Sequence, residues 1–194
     1  MSSKIHRVAI TGDGAIGKTC LLSVYCSGVF PSNSAPTVFE SRQHEYVVNG
    51  HPISIHIQDT AGQENYTQLR LMAYRDLSVG LIGFSIVDPV SLDNVYDAWW
   101  PEFVNQTLIG TPFILVGTKA DLRNDPTSIA RLRQDEQAPV TQAQGKNMAN
   151  RLKAFRYVEC SALKNFNLDA IFEAVGEAIY NPKKKHKRKF CIIL

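Results

Sequence analysis

The sequence predicts an α/β fold, an open, doubly wound mixed sheet of about six strands flanked by helices. Near the N-terminus a strand-like segment, 5–11, runs into a glycine-rich loop and then a helical segment. An Asn-Gly turn joins two strand-like segments, 42–48 and 53–57. Near-continuous apolar runs at 81–87 and 113–117 alternate with amphipathic helical segments. This alternation is typical of parallel strands covered by helices on both faces.

The elements after the hairpin follow the same alternation. A helix is predicted over 91–106, with Ser91 as its cap. Two more helices, 141–153 and 168–179, are expected on either side of a short strand at 157–160.

The segment 124–138 interrupts this order. It is polar and charged, with a short helical pattern around Ile129 and Leu132. We expect it to be an exposed insertion.

Size and composition favour one soluble domain with a charged tail. The 194 residues suffice for a full core, and no apolar run reaches the ~20 residues of a membrane span. Six of the 21 Lys and Arg residues lie within 183–189, where no Asp or Glu occurs, so the rest of the chain is mildly acidic. This asymmetry argues against nucleic-acid binding. We expect a folded domain over 1–180 and a polybasic tail over 181–194.

The glycine-rich loop fits a phosphate-binding pattern at every fixed position. The run Gly12-Asp13-Gly14-Ala15-Ile16-Gly17-Lys18-Thr19 matches G-x-x-x-x-G-K-[ST], and a helix follows from Cys20. We expect this run and Cys20 to bind the phosphates. Backbone N–H groups and the positive end of that helix point at one spot, which fits a polyphosphate. We expect Lys18 to reach the β and γ phosphates and the Thr19 hydroxyl to coordinate Mg²⁺.

A second motif, Asp59-Thr60-Ala61-Gly62-Gln63, follows the second hairpin strand. Asp59 can hold Mg²⁺ from the side opposite Thr19, and the N–H of Gly62 can approach the γ phosphate. Gln63 offers both a donor and an acceptor, as the orientation of an attacking water requires. A helix cap explains Asp59 better in isolation, but the phosphate loop upstream favours the metal role.

Thr37, which follows Pro36 in a polar stretch, can add its hydroxyl to Mg²⁺ and its N–H to the γ phosphate. Such contacts vanish when the γ phosphate leaves, so we expect this loop to order and disorder with the ligand. A proline turn with a capping threonine is the alternative.

Two further motifs indicate a guanine base. The Asp121 carboxylate can accept from N1–H and the 2-amino group of guanine, whereas adenine has no 2-amino group and presents an acceptor at N1. The Lys119 stem can lie over the base, the Ala162 N–H can reach O6, and Phe30 can cover the base edge. The predicted base site comprises Phe30, Thr118, Lys119, Asp121, Leu122, Ser161, Ala162 and Leu163.

These motifs resemble those of the Ras-superfamily small GTPases, and within them the Rho family, in its Rac-like form. The segments that carry the resemblance are GDGAIGKTCLL, PTVFE, DTAGQENY, TKADLR and ECSAL. The TK-x-D form and the insertion before Thr141 are Rho-type traits. The resemblance covers 4–194 and implies a P-loop G domain with a Rho-type insert helix at about 124–138.

The resemblance implies a monomeric switch that hydrolyses GTP to GDP and signals to the actin cytoskeleton. Exchange factors, activating proteins, a guanine-dissociation inhibitor and effectors would be its partners. No arginine precedes Thr37 in the first switch, so an activating protein would supply one in trans. The implied catalytic residues are Gly14, Lys18, Thr37 and Gln63. The implied effector and switch residues are Ser34, Pro36, Thr37, Val38, Phe39, Glu40, Gln63, Tyr66 and Leu69.

Several residues depart from the Rac pattern. Ser34 and Arg42 replace usual tyrosines, Gln58 replaces a common aromatic residue, and Leu71 and Arg75 replace prolines. These departures concern partners rather than chemistry.

The C-terminal segment carries a second functional motif. Cys191 begins a C-a-a-X prenylation signal, whose final Leu194 favours a geranylgeranyl group. A lipid together with a polybasic patch anchors a protein stably. We expect attachment to the cytoplasmic face of the plasma membrane, with an inhibitor-bound cytosolic pool. A solvated basic tail or a nuclear signal is the alternative.

Two other functions fit part of the sequence. A P-loop ATPase or small-molecule kinase would share the phosphate loop, but Asp121 argues against it. A constitutively GTP-bound Rho-like scaffold would hydrolyse little GTP, and Gly14 and Gln63 argue against that alternative.

Overall fold

The computed structural model describes residues 4–31, 39–60 and 67–180, and these form a single six-stranded sheet with flanking helices. The strand order is β2-β3-β1-β4-β5-β6, and β2 alone is antiparallel to its neighbour. The expected α/β fold with a mixed sheet is confirmed. The strands are β1 (Ile5–Thr11), β2 (Phe39–Val48), β3 (His51–Thr60), β4 (Leu77–Ser85), β5 (Phe113–Thr118) and β6 (Arg156–Glu159).

Helices connect the strands and cover both faces of the sheet. None of those in the described residues is long and apolar enough to cross a membrane. They are α1 (Lys18–Ser27), α2 (Thr67–Ala73), α3 (Pro89–Asn94), α4 (Trp100–Gln106), α5 (Pro126–Gln134), α6 (Gln142–Leu152) and α7 (Leu168–Tyr180). A π-helical segment, Val95–Trp99, joins α3 to α4, and a 3₁₀ turn, Ala120–Leu122, follows β5.

The core lies on both sides of the sheet because alternate strand residues face opposite ways. Val8 and Ile10 of β1 pack into one cluster with apolar residues of α1 and α7. Ala9 packs into a second cluster with residues of α2, α4 and α6. Five strands, β1, β3, β4, β5 and β6, are parallel, so their C-terminal ends lie at one edge of the sheet. Doubly wound sheets bind their ligands at this edge.

The predicted helix 91–106 differs from the observed one at its start and in its middle. Asp88 caps α3 by accepting from the Ser91 N–H, so the prediction of Ser91 as the cap is wrong. The Ser91 side chain is instead fully buried, and its hydroxyl accepts from the Ser85 N–H at 2.9 Å. The helix begins earlier than predicted because Pro89 occupies its first turn, where a missing N–H costs nothing.

The insertion contains a helix, as its apolar spacing indicated. Asp125 caps α5 by accepting from the Ser128 N–H at 2.7 Å. Most of α5 is exposed or half-buried, but Leu132 is only 4% exposed. The insertion is thus not exposed throughout, because Leu132 packs against the domain and the Arg131 guanidinium donates to the Val87 carbonyl at 3.1 Å.

Candidate active site

The phosphate loop follows β1, and its two outer glycines meet steric demands. Gly12 has φ +139° and Gly17 has φ +99°, which are conformations that residues with a Cβ rarely adopt. A Cβ at Gly12 would also collide with the carbonyl oxygen of Gly83 in β4. A Cβ at Gly83 would in turn lie 2.9 Å from Cδ1 of the buried Ile16, so a larger residue there would force Ile16 to shift. Sequence reasoning missed Gly83, whose only signal is a glycine inside an apolar strand.

Lys18 is held inside the phosphate loop. Its ammonium donates to the carbonyl oxygens of Gly12 at 2.8 Å and Asp13 at 2.7 Å, and only 6% of the residue is exposed. Burial lowers the pKa of Lys18 to about 8, against the opposing effect of the Asp59 and Asp13 charges. A buried ammonium with a lowered pKa gains stabilisation from an anionic ligand.

Asp59, one of the predicted metal ligands, is buried near the end of β3. It is paired with Ile10 of β1 near the end of β3 and is only 3% exposed. Its charge acts on the pKa values of both Lys18 and Cys20, which flank Thr19 in α1. The carboxylate is therefore within electrostatic range of the Thr19 position, and a carboxylate with a hydroxyl is an oxygen set that suits Mg²⁺. The described residues contain no group of three or more His, Cys, Asp or Glu side chains that could hold a metal.

The loop after β5 is fastened to the phosphate loop. The Thr118 hydroxyl donates to the carbonyl of Ile16 at 2.6 Å and also contacts that of Phe84 at 2.9 Å. The Lys119 ammonium donates to the carbonyl of Ala15 at 2.7 Å, and burial lowers the pKa of Lys119. Lys119 takes the left-handed conformation, φ +57°. The structure thus joins two of the predicted motifs directly.

The other predicted base loop, 161–163, lies beside the loop that follows β5. The Ala120 N–H donates to the Cys160 carbonyl at 3.0 Å, which places Asp121 next to the end of β6. Asp121 and Leu122 lie in the 3₁₀ turn, while Ser161 is buried and its hydroxyl accepts from the Lys164 N–H. Leu163 and Phe30 are 57% and 43% exposed.

Gly14 fills no packing role in the described part of the chain. A Cβ built there meets no described atom within 4 Å, and its φ is not in the left-handed region. No described neighbour therefore requires a glycine at this position.

Several predicted residues lie outside the described residues. They are Ser34, Pro36, Thr37, Val38, Gly62, Gln63, Tyr66 and Cys191. Their proposed roles stay predictions. Phe39 and Glu40 begin β2, and Leu69 is 39% exposed on α2.

The side chain of Asp13 contacts the helical segment that follows β4. Its carboxylate accepts from Asn94 Nδ2 at 2.7 Å and from Trp99 Nε1 at 2.5 Å. Asp13 was predicted as a phosphate-binding residue, but neither donor was predicted, because nothing in the spacing of Asn94 and Trp99 links them to the loop.

Known proteins of one family are similar to this chain over nearly its whole length. A sequence profile of the Ras family matches residues 7–181. The chain is 45% identical to the GTP-binding protein RHO1 of Candida albicans, over 97% of this chain and 96% of that one. This chain is a Rho-family small GTPase of the Ras family. It is also 43% identical to the GTP-binding protein RHO1 of Eremothecium gossypii over the whole of both chains.

Because the chain belongs to this family, the family's general chemistry applies to it. Ras-type proteins bind GTP and GDP, hydrolyse GTP, and typically use Mg²⁺. Rho-family members typically bind exchange factors, activating proteins, dissociation inhibitors and effectors.

Proposed function

We propose that this Rho-family GTPase is a Mg²⁺-dependent switch whose site is formed where β1, β3, β5 and β6 end. The observation that carries the proposal is the fastening of the base loop to the phosphate loop, Thr118 to Ile16 and Lys119 to Ala15. A glycine turn without a ligand would not need to be held by Thr118 and Lys119, which lie three and two residues before Asp121. The geometry favours a base and a polyphosphate bound together.

The protein contacts on the loop carbonyls support phosphate binding by the loop N–H groups. In a trans peptide the C=O and the following N–H point in opposite directions. Because the carbonyls of Ala15 and Ile16 accept from Lys119 and Thr118, the N–H groups of Ile16 and Gly17 face the other way. Those N–H groups, with the ammonium of Lys18, are the donors that we assign to the phosphates.

We assign Mg²⁺ to Thr19, Thr37 and Asp59, and the bound ion would neutralise charge on the β and γ phosphates. Gln63 would orient the attacking water, and Gly14 would leave room for Gln63 and for an arginine from an activating protein. Gly62 would donate its N–H to the γ phosphate. These contacts would hold the segments around Thr37 and Gln63 only while GTP is bound.

Base selection is assigned to Asp121. Its carboxylate would accept from N1–H and the 2-amino group of guanine, while Lys119 would lie along the base and Ala162 would donate to O6. Adenine would leave the carboxylate without donors, which is costly in a partly buried site.

We also propose that Cys191 is geranylgeranylated and that the polybasic segment 183–189 assists membrane attachment. The protein would then act at the cytoplasmic face of the plasma membrane, signal to the actin cytoskeleton, and be kept in the cytosol by a dissociation inhibitor. The C-a-a-X sequence and the six clustered basic residues support this proposal.

A competition experiment tests the nucleotide assignment. The purified chain, loaded with fluorescent GDP in the presence of Mg²⁺, is titrated with unlabelled GDP or ADP. We expect GDP to displace the label and ADP to fail at a thousandfold excess, about 4 kcal/mol of discrimination. Equal displacement by ADP would overturn the assignment and favour an ATPase or kinase.

A further inference from the structure

Both carboxylate oxygens of Asp13 are held by the helical segment that follows β4. Oδ2 accepts from Asn94 at 2.7 Å and Oδ1 accepts from the Trp99 indole at 2.5 Å. The two donors come from the end of α3 and the end of the π-helical segment. Hydrogen bonds to an ionised acceptor are stronger than neutral ones, so this clamp fixes the side chain of Asp13 firmly.

The π-helical segment makes this clamp possible. Residues five apart in an α-helix lie about 140° apart around the axis, so Asn94 and Trp99 would point to different sides. The wider turn, in which the Trp100 N–H donates to the Val95 carbonyl, brings them to the same side. Single π-helical turns of this kind occur frequently at functional sites.

The Trp99 side chain also contacts α2 through its ring face. The Arg70 guanidinium lies over the ring at 4.9 Å from its centroid. Arg70 is held by Glu102 through bonds of 2.7 and 2.8 Å, and the Tyr74 hydroxyl donates to Glu102 at 2.8 Å. Trp99, only 7% exposed, thus connects the phosphate loop to the helix that begins four residues after Gln63.

We propose that Asn94 and Trp99 are positioning residues that hold the Asp13 peptide, and through it Lys18, in place for the nucleotide. The link is the Asp13 carbonyl, which accepts from the Lys18 ammonium at 2.7 Å while the Asp13 carboxylate is clamped. The clamp slows nucleotide release and aligns α2 with the phosphate loop. The inference rests on the nucleotide site proposed above.

Release of fluorescent GDP from the Mg²⁺-loaded full chain measures this role. Trp99→Phe removes the indole N–H but keeps an aromatic face for Arg70. We expect release about tenfold faster, the effect of one lost charge-assisted hydrogen bond. Trp100→Phe is the matched control, since it makes the same change one residue later, and it should release GDP at the wild-type rate.

Exchanging the hydrogen-bond donor and acceptor between positions 13 and 94 distinguishes a positioning role from a general effect on stability. Asn94→Asp places a second carboxylate opposite that of Asp13 and should speed GDP release about tenfold. Adding Asp13→Asn restores a hydrogen bond with the roles exchanged and keeps an acceptor for Trp99, so the double variant should regain most of the loss. Thermal unfolding of each GDP-loaded variant is measured alongside.

Two results would overturn this inference without affecting the nucleotide site. One is GDP release at the wild-type rate from Trp99→Phe, and the other is a double variant that releases GDP as fast as Asn94→Asp. The second test remains usable if Trp99→Phe does not fold. A wild-type chain that retains no GDP would instead overturn the nucleotide site, and the inference with it.

Discussion

Arg123 holds Glu159 through two parallel hydrogen bonds, each 2.7 Å long. Arg123 lies two residues after Asp121, and Glu159 lies two residues before Ser161. The Tyr157 hydroxyl adds a third bond to Glu159 at 2.6 Å. This ion pair therefore ties together the two loops that we assign to the guanine base.

Glu159→Gln should lower the free energy of unfolding by about 1–3 kcal/mol at neutral pH, because it leaves the half-buried Arg123 without its charge partner. Urea unfolding at fixed GDP and Mg²⁺ measures this. Glu177→Gln is the control, since its pair with Arg156 is more exposed, with side chains 31% and 41% accessible. Exposed pairs contribute about 0–1 kcal/mol. Equal losses in the two variants would contradict the prediction.

The stability that the Arg123–Glu159 pair contributes should depend on pH. Burial works against ionisation of Glu159, but the hydrogen bonds from Arg123 and Tyr157 hold its pKa below the usual value. A lowered folded pKa gives stability that is present above the unfolded pKa and is lost as pH falls through the folded value. Glu159→Gln should therefore show a smaller acid-induced loss of stability than the wild type. Identical pH profiles would contradict this.

Asp121→Asn should change base preference from guanine to xanthine. The carboxamide N–H₂ would meet the 2-amino donor of guanine, whereas xanthine presents an accepting carbonyl there. We expect GDP affinity to fall roughly a hundredfold, the cost of two charge-assisted hydrogen bonds, and XDP affinity to rise. Asp125→Asn, which keeps the α5 cap, is the control. Unchanged GDP affinity would remove Asp121 from base selection.

Gln63→Leu should keep GTP binding and reduce hydrolysis by roughly a hundredfold, because leucine cannot orient the attacking water. Single-turnover phosphate release and nucleotide affinity are measured together. Gln134→Leu, on the exposed end of α5, is the control. Undiminished turnover would show that Gln63 has no part in the mechanism.

Cys191→Ser should move the protein from the membrane fraction to the soluble fraction of cells, because it removes the proposed lipid attachment. Leu194→Ser keeps the cysteine and changes the expected lipid from geranylgeranyl to farnesyl, so it should stay on membranes. Membrane association of Cys191→Ser would mean that the tail acts without prenylation.

Sequence patterns predicted the strands and turns that depend on residues close together in the chain. The apolar runs placed β5 from Phe113 onward, and they predicted the parallel strands of the sheet. The Asn49-Gly50 turn correctly joined β2 to β3.

The contacts that shape the loop are long-range and had no sequence signal. Trp99 and Asn94 reach Asp13 across 86 and 81 residues, and only the π-helical turn makes both contacts possible. Ser91 was predicted as a cap from its residue type, but the earlier Asp88 took that position and Ser91 bonded to β4 instead.

Single-turnover GTP hydrolysis by the purified chain, measured with and without a Rho-type activating protein, tests the central claim most directly. Without a built-in arginine the site should turn over slowly, and the added arginine should accelerate hydrolysis by ~10³–10⁵. The absence of both basal and stimulated turnover would contradict the account. It would favour a scaffold that stays bound to GTP.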